Sequence, residues 1–179
     1  MERIRLAKLS DAEVIQNIYK PYVLESPISF EIIPPSSDEM KSRISDTLEK
    51  FPWLVYEHDN VVVGYAYASP YKSRCAYSWS AESTVYIREG YHGKGIGKAL
   101  YTSLLSQLKN QGVVNVIGGI SLPNAASVRL HESLGFTQVA TFKDVGFKFK
   151  KWWDVGYWQL QFQKPIEPQL LKPQSFTAR

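Results

Sequence analysis

The chain has 179 residues, 44% of them hydrophobic, and 21 Lys and Arg against 17 Asp and Glu give it a formal net charge of +4. That length predicts one domain with a sizeable core, and neither a membrane-spanning apolar run nor a secretion signal at MERIRLAKLSD is present. A single cysteine, Cys75, excludes an internal disulfide and predicts a reducing, cytoplasmic setting, while scattered basic residues without interleaved aromatics argue against nucleic acid and for a small anionic ligand.

In chain order, Arg3 to Lys8 alternates weakly and predicts a first strand. Ser10-Asp11-Ala12-Glu13 reads as a capping box before a helix with Val14, Ile15, Ile18 and Tyr19 inward, ending near Pro21. Ser26 to Pro35 reads as a loop from its prolines. Phe30 within it is too apolar to stand free; it either packs as a lid or forms one wall of a substrate pocket. Ser36-Ser37-Asp38-Glu39 is a second capping box, followed by a helix face of Met40, Ile44, Leu48 and Phe51.

Trp53 to Tyr56 and Val61 to Ala68 read as strands joined at His58-Asp59-Asn60. Pro70 to Ala76 is a polar loop. Ser78 to Ile87 alternates, with Glu82, Thr84 and Tyr86 on one face and Ala81, Ser83, Val85 and Ile87 on the other. Four glycines follow, at 90, 93, 95 and 97, and then a helical stripe of Ile96, Leu100, Leu104 and Leu108 flanked by Tyr101 and Leu105. Val113 to Ile120 is a β-branched strand. Asn124 is a candidate N-cap for a helix to Leu134 that Gly135 stops. Phe136 to Phe142 and Trp152 to Phe162 complete the strands. The reading is one α/β (α+β) domain over residues 1–164. The tail, 165–179, holds Pro165, Pro168 and Pro173, shows no periodicity, and is expected to order only against a partner chain.

A strand feeding a glycine-rich turn that opens a helix is a device for holding phosphates. Glycines let the backbone approach closely, and the free N–H groups of the first helical turn point at the anion. The spacing excludes a P-loop, because Gly97-Lys98 is followed by Ala99, and it excludes a dinucleotide fingerprint, because the glycines fall as G-x-G-x-G. It matches the acyl-CoA signature Q/R-x-x-G-x-G/A of the GNAT acetyltransferase superfamily, read as His92-Gly93-Lys94-Gly95-Ile96-Gly97, with His92 departing from the usual Gln or Arg. Lys98 adds charge beside Lys94.

Further segments carry the resemblance: WLVYEHDNVVVGYAYASPYKSRCAYSWSAESTVYI, SLPNAASVRLHESLGF and GFKFKKWWDVGYWQLQF. From about Arg3 to Pro165 the chain resembles phosphinothricin N-acetyltransferases and the related methionine sulfoximine acetylating enzymes. The resemblance implies a GNAT fold: a mainly antiparallel sheet splayed between its fourth and fifth strands, about four flanking helices, and acetyl-CoA in the split. It also implies a homodimer and a detoxifying role of the herbicide- or antibiotic-resistance kind.

Acyl transfer to an amine requires that the ammonium lose a proton, that the oxyanion be stabilised and that the thiolate leave. Glu82 is the candidate general base, with a structural carboxylate as its alternative; the resembled family places its catalytic glutamate in the same Ala81 to Tyr86 context. His131 is either a general acid, a donor to the substrate or a groove-lining side chain. Val85, Tyr86 and Ile87 are expected to pair with the pantetheine arm, Gly93 to Lys98 to hold the pyrophosphate, and Asn124 to contact the cofactor or simply cap its helix. Lys72, Arg74 and Tyr77 suit the polar end of a small amino-acid analogue. No metal-ligand spacing is present. Two alternatives stay open: acetylation of a protein N-terminus or lysine, and a non-catalytic CoA-binding module.

Overall fold

The computed structural model describes residues 1–162, 164 and 167–173. Its elements are β1 (Glu2–Leu6), α1 (Ala12–Glu25), α2 (Ser37–Leu48), β2 (Trp53–His58), β3 (Val61–Pro70), β4 (Ser80–Ile87), α3 (Ile96–Gln111), β5 (Asn115–Leu122), α4 (Ala125–Glu132), β6 (Thr137–Lys148) and β7 (Lys151–Gln161). The seven strands form one sheet in the order β1-β2-β3-β4-β5-β7-β6, with four helices around it. Every neighbouring pair is antiparallel except β4 and β5.

That parallel pair holds for three residues, from Ser80 opposite Asn115 to Glu82 opposite Ile117. Beyond Glu82, β4 stays paired with β3 as far as Ile87, while β5 stays paired with β7 as far as Leu122. The sheet therefore opens into a V whose apex is Glu82. Each arm of the V presents a strand edge without a sheet partner, which leaves backbone N–H and C=O groups in need of one.

Strand alternation divides two cores between the faces. Ala81 and Ile87 face α3, whose Ile96, Leu100, Leu104 and Leu108 are all buried in one cluster with Val116 and Ile120. Tyr86 faces α1 and α2, packing against a cluster of Ile15, Ile18, Tyr19, Met40, Ile44 and Tyr65. The β2–β3 turn places Asp59 and Asn60 at φ 49° and 64°, the left-handed pair that a two-residue hairpin requires.

Several local expectations are corrected. Helix α1 does not stop near Pro21 but runs to Glu25 with the proline inside it. Pro21 cannot donate to the carbonyl of Asn17; the extra turn is held by burial of Val23 and by the Tyr22 hydroxyl, which donates to Ile87 O at 2.5 Å. The capping residue is not Ser10: Asp11 precedes α1, and its carboxylate accepts from Arg5 at 2.7 and 2.9 Å and from Lys8 N–H at 2.7 Å. The second capping box forms as read, Ser36 Oγ accepting from Glu39 N–H and Glu39 from Ser36 N–H. Strand β6 extends to Lys148, through an irregularity between Phe142 and Gly146. Part of the proline-containing tail, including Pro165 and residues 174–179, lies outside the described residues. Its described part packs on its own chain: Lys172 N–H donates to Gln111 O at 2.8 Å and Trp79 Nε1–H to Gln169 O at 2.7 Å.

Candidate active site

The glycine turn begins where β4 ends. Gly90, Gly93 and Gly95 have φ of 80°, 74° and 79°, and a Cβ added at any of the three would meet no atom of the described residues within 4 Å. Their conformation, not crowding within the chain, is what selects glycine. Gly95 is the N-cap of α3, and the helical ladder begins with Ala99 N–H donated to Gly95 O at 3.0 Å. The N–H groups of Ile96, Gly97 and Lys98 thus have no helical acceptor and are free for an anion. Lys94 and Lys98 are exposed beside it, with Lys94 Nζ 4.7 Å from the centre of the Tyr91 ring. His92 ties the turn to α1: since the Tyr22 hydroxyl spends its proton on Ile87 O, His92 Nε2–H donates to that oxygen at 2.7 Å.

A cleft of about 440 Å³ runs along the V. Val85 and Tyr86 line it from β4, and Asn124, Ser127 and His131 from α4 and its N-cap. Asn124 Oδ1 accepts from Ser127 N–H at 3.1 Å, so its side chain is already engaged as the cap of α4. Ile87 is buried at the far end of the strand and is tied to α1 through its carbonyl.

Glu82 lines this cleft at the apex. Burial raises the pKa of its carboxyl, and no ion pair among the described residues offsets the effect. Its Oε1 lies over Gly119, 3.4 Å from where a Cβ would begin, and the neighbouring Tyr157 ring approaches the same point.

His131 is buried on the opposite face of β5. Ser127 O can only accept, so the 2.8 Å contact fixes the imidazole proton on Nδ1. Nε2 is then the acceptor, 3.2 Å from the Tyr101 hydroxyl. Desolvation lowers the His131 pKa, partly opposed by the bond to Ser127 O, so the ring is neutral at neutral pH. Burial pushes the Tyr101 phenol well up, with Ser83 as a further hydrogen-bond partner. Ser83, Tyr101 and His131 form a buried polar string against the cleft.

Phe30 lines the same cleft, its ring lying against Gly146; a Cβ there would fall 2.2 Å from Cζ. Buried Lys148 anchors this loop, its Nζ donating to Ser29 O at 2.6 Å and Ser26 O at 2.9 Å. A second cleft, of about 490 Å³, opens on the other side of Glu82 and is lined by Lys72, Tyr77, Tyr71, Phe142 and Tyr157. The structure thus brings Lys72 and Tyr77 beside Glu82. Arg74 is exposed at the start of the short turn 75–77 and lines neither cleft. Tyr101, Tyr157 and Lys148 escaped sequence reading because each sits in an ordinary core or strand pattern. The pair Gly118-Gly119 inside a strand was the available signal, since paired strand glycines mark close approach by other groups. Among the described residues no group of three His, Cys, Asp or Glu side chains could hold a metal ion, and no helix is long and apolar enough to cross a membrane.

Comparison with known proteins matches this arrangement to a family. The acetyltransferase (GNAT) domain profile matches residues 4–156. The chain is 40% identical over 170 residues to a phosphinothricin N-acetyltransferase of Streptomyces viridochromogenes, covering 95% of this chain and 93% of that one. It is 34% identical to an L-methionine sulfoximine/L-methionine sulfone acetyltransferase of Salmonella typhimurium, over 92% of this chain and 97% of that one. A GNAT phosphinothricin acetyltransferase from Sinorhizobium meliloti, solved in complex with acetyl-CoA, superposes with a TM-score of 0.90 at 32% identity, over 94% and 93% of the two chains. With a strand edge opened at Glu82, a glycine turn at the start of α3 and these relatives, the chain belongs to the GNAT acetyltransferase family.

Proposed function

We propose that this protein transfers the acetyl group of acetyl-CoA to the α-amine of a small polar amino-acid analogue, of the phosphinothricin, methionine sulfoximine or methionine sulfone kind. The observation that carries the reading is Glu82: a carboxylate with a raised pKa at the apex of the V, with the long cleft on one side and the pocket of Lys72 and Tyr77 on the other.

The residues present fit acetyl-CoA. The free edge of β4 from Ser83 to Ile87 suits an amide-bearing arm added as a strand. The open space over Gly93 and Gly95 and the free N–H groups of the first turn of α3 suit a pyrophosphate, with Lys94 and Lys98 adding charge. When bound there, acetyl-CoA supplies an activated thioester at the apex.

Glu82 takes the ammonium proton, directly or through a water, which gives the amine its lone pair; a raised pKa makes it the better acceptor. Tyr101 holds its own proton too tightly to be an acid and serves as a hydrogen-bonding group at the split. His131, neutral and an acceptor at Nε2, positions that phenol rather than donating a proton. A thiol pKa near ~8.5 makes protonation of the departing thiolate undemanding. Lys72 and Tyr77 receive the distal polar group of the substrate. Such an activity would inactivate amino-acid analogues that act as toxins.

The second-copy expectation belongs to the same reading. Phe142, Val145, Phe147 and Trp152 on the β6–β7 hairpin are 54%, 54%, 57% and 55% exposed, an apolar face suited to a second chain. A solution mass near twice 20.4 kDa tests this. Steady-state rates over phosphinothricin, methionine sulfoximine, methionine sulfone and a peptide N-terminus test the substrate class. The amino-acid analogues should be acetylated and the peptide should not; preference for the peptide would move the reading to protein N-termini.

A further inference from the structure

Ser121 on β5 is 8% exposed, and its hydroxyl makes no hydrogen bond among the described residues, although it lines the cleft at the V. A buried hydroxyl without a partner is costly, and such groups in native structures call for an explanation. Strand register says which way this one faces. Ile117 pairs with Glu82, so Ile117, Gly119 and Ser121 share the Glu82 face of the sheet. Gly118, between them, faces His131 and the α3 side, from which the glycine turn approaches. Ser121 therefore looks toward the acceptor rather than the cofactor.

Its distance along the strand has a chemical meaning. Glu82 lies over Gly119, and Ser121 is two residues on, about 6.6 Å at the usual strand rise. Two hydrogen bonds of about 2.8 Å each, with the amine-to-carboxylate part of an amino acid between them, reach at least that far. In the opposite direction from Glu82, past Ile117 and Asn115, lies the pocket of Lys72 and Tyr77. An α-carbon at the apex would thus send its amine to Glu82, its side chain toward Lys72 and its third substituent toward Ser121.

We propose that the Ser121 hydroxyl is the hydrogen-bond donor to the α-carboxylate of the acceptor, and so restricts the enzyme to α-amino acids over simple amines. This rests on the substrate class proposed above. The test uses the full chain, acetyl-CoA, methionine sulfone, and 3-(methylsulfonyl)propylamine, which is the same molecule without the carboxylate. Ser121→Ala should lower kcat/KM for methionine sulfone at least about tenfold, the usual worth of one bond to a charged group. The amine lacking a carboxylate should stay within twofold of its wild-type rate, and acetyl-CoA affinity should be unchanged. Because the hydroxyl has no partner in the free protein, Ser121→Ala should also be at least as stable to urea as the wild type. An equal loss for both acceptors, a loss of acetyl-CoA affinity, or no loss at all would overturn the assignment. A wild type that acetylates neither methionine sulfone nor phosphinothricin would overturn the substrate class itself, and this arm is read before any variant is made.

Discussion

Gly118 and His131 exclude one another's side chains: a Cβ on Gly118 would lie 2.4 Å from His131 Nε2, well inside contact distance. The imidazole sits where it does because β5 has no side chain there. Gly118→Ala should push the ring off its bond to Tyr101 and lower stability by about 1–3 kcal/mol, the cost of an overpacked core. Gly119→Ala is the control, since its Cβ would meet Glu82 Oε1 at an ordinary 3.4 Å. Urea unfolding of both variants checks this; equal stabilities would mean that the ring has room to move.

The glycine turn gives a binding prediction. Gly95 holds φ 79° as the N-cap of α3, so Gly95→Val places a β-branched residue in left-handed backbone, a strain on the order of 1–3 kcal/mol. Among the described residues no atom lies within 4 Å of the new Cβ, so the fold should survive. The side chain would instead occupy the open space over the turn where the pyrophosphate is proposed to lie, and acetyl-CoA binding by calorimetry should be lost.

Sequence favours Arg74 over Lys72 as the substrate contact, because its planar fork can bind an anionic group bidentately, and the structure reverses that order. Lys72 lines the pocket beside Glu82, its Nζ 5.2 and 5.5 Å from the Tyr71 and Tyr77 ring centres, whereas Arg74 is exposed outside it. Lys72→Met should raise KM for the amino-acid analogue roughly 10- to 100-fold, as loss of a charge-assisted contact does. Arg74→Ala should change it less than twofold. The reverse order in steady-state kinetics would put Arg74 back in the site.

What was legible follows from range in sequence. The glycine turn, the alternation around Glu82 and the Asn124 cap are local patterns, and each appears at its predicted place. The extent of α1 was misread because Pro21 is a strong local stop signal, while the Tyr22 hydroxyl that rewards one more turn reaches a carbonyl 65 residues away. Likewise Tyr101 reads as one more apolar position on α3 until His131 is brought to it by α4. Lys148 reads as a solvated hairpin charge, and only the packed loop carbonyls of Ser26 and Ser29 reveal it as an anchor. Side chains whose meaning depends on a distant partner carry no periodic signal.

His131 supplies a pH prediction. Its pKa in the fold is depressed below the ordinary 6.5 by desolvation, so between that value and the folded one the unfolded chain binds more protons. Stability from the buried neutral ring is therefore present above about pH 6.5 and lost as pH falls through the folded pKa. The urea midpoint of the wild type should drop more steeply from pH 7 to pH 5 than that of His131→Asn. Parallel slopes would mean that the ring is not held neutral.

The central claim is that Glu82 takes the proton, and one substitution addresses it most directly. Glu82→Gln keeps the size and hydrogen bonding of the side chain but cannot accept the ammonium proton. Acetyl-CoA affinity should hardly change, because the strand edge and the glycine turn are untouched. The rate constant should fall by about 10²–10⁴, the usual contribution of a positioned acid–base group. The wild-type kcat/KM should level off above the raised carboxyl pKa, whereas the variant should keep climbing toward the pKa of the free amine. A Glu82→Gln protein that keeps more than about a third of the wild-type kcat at pH 7 would contradict the account.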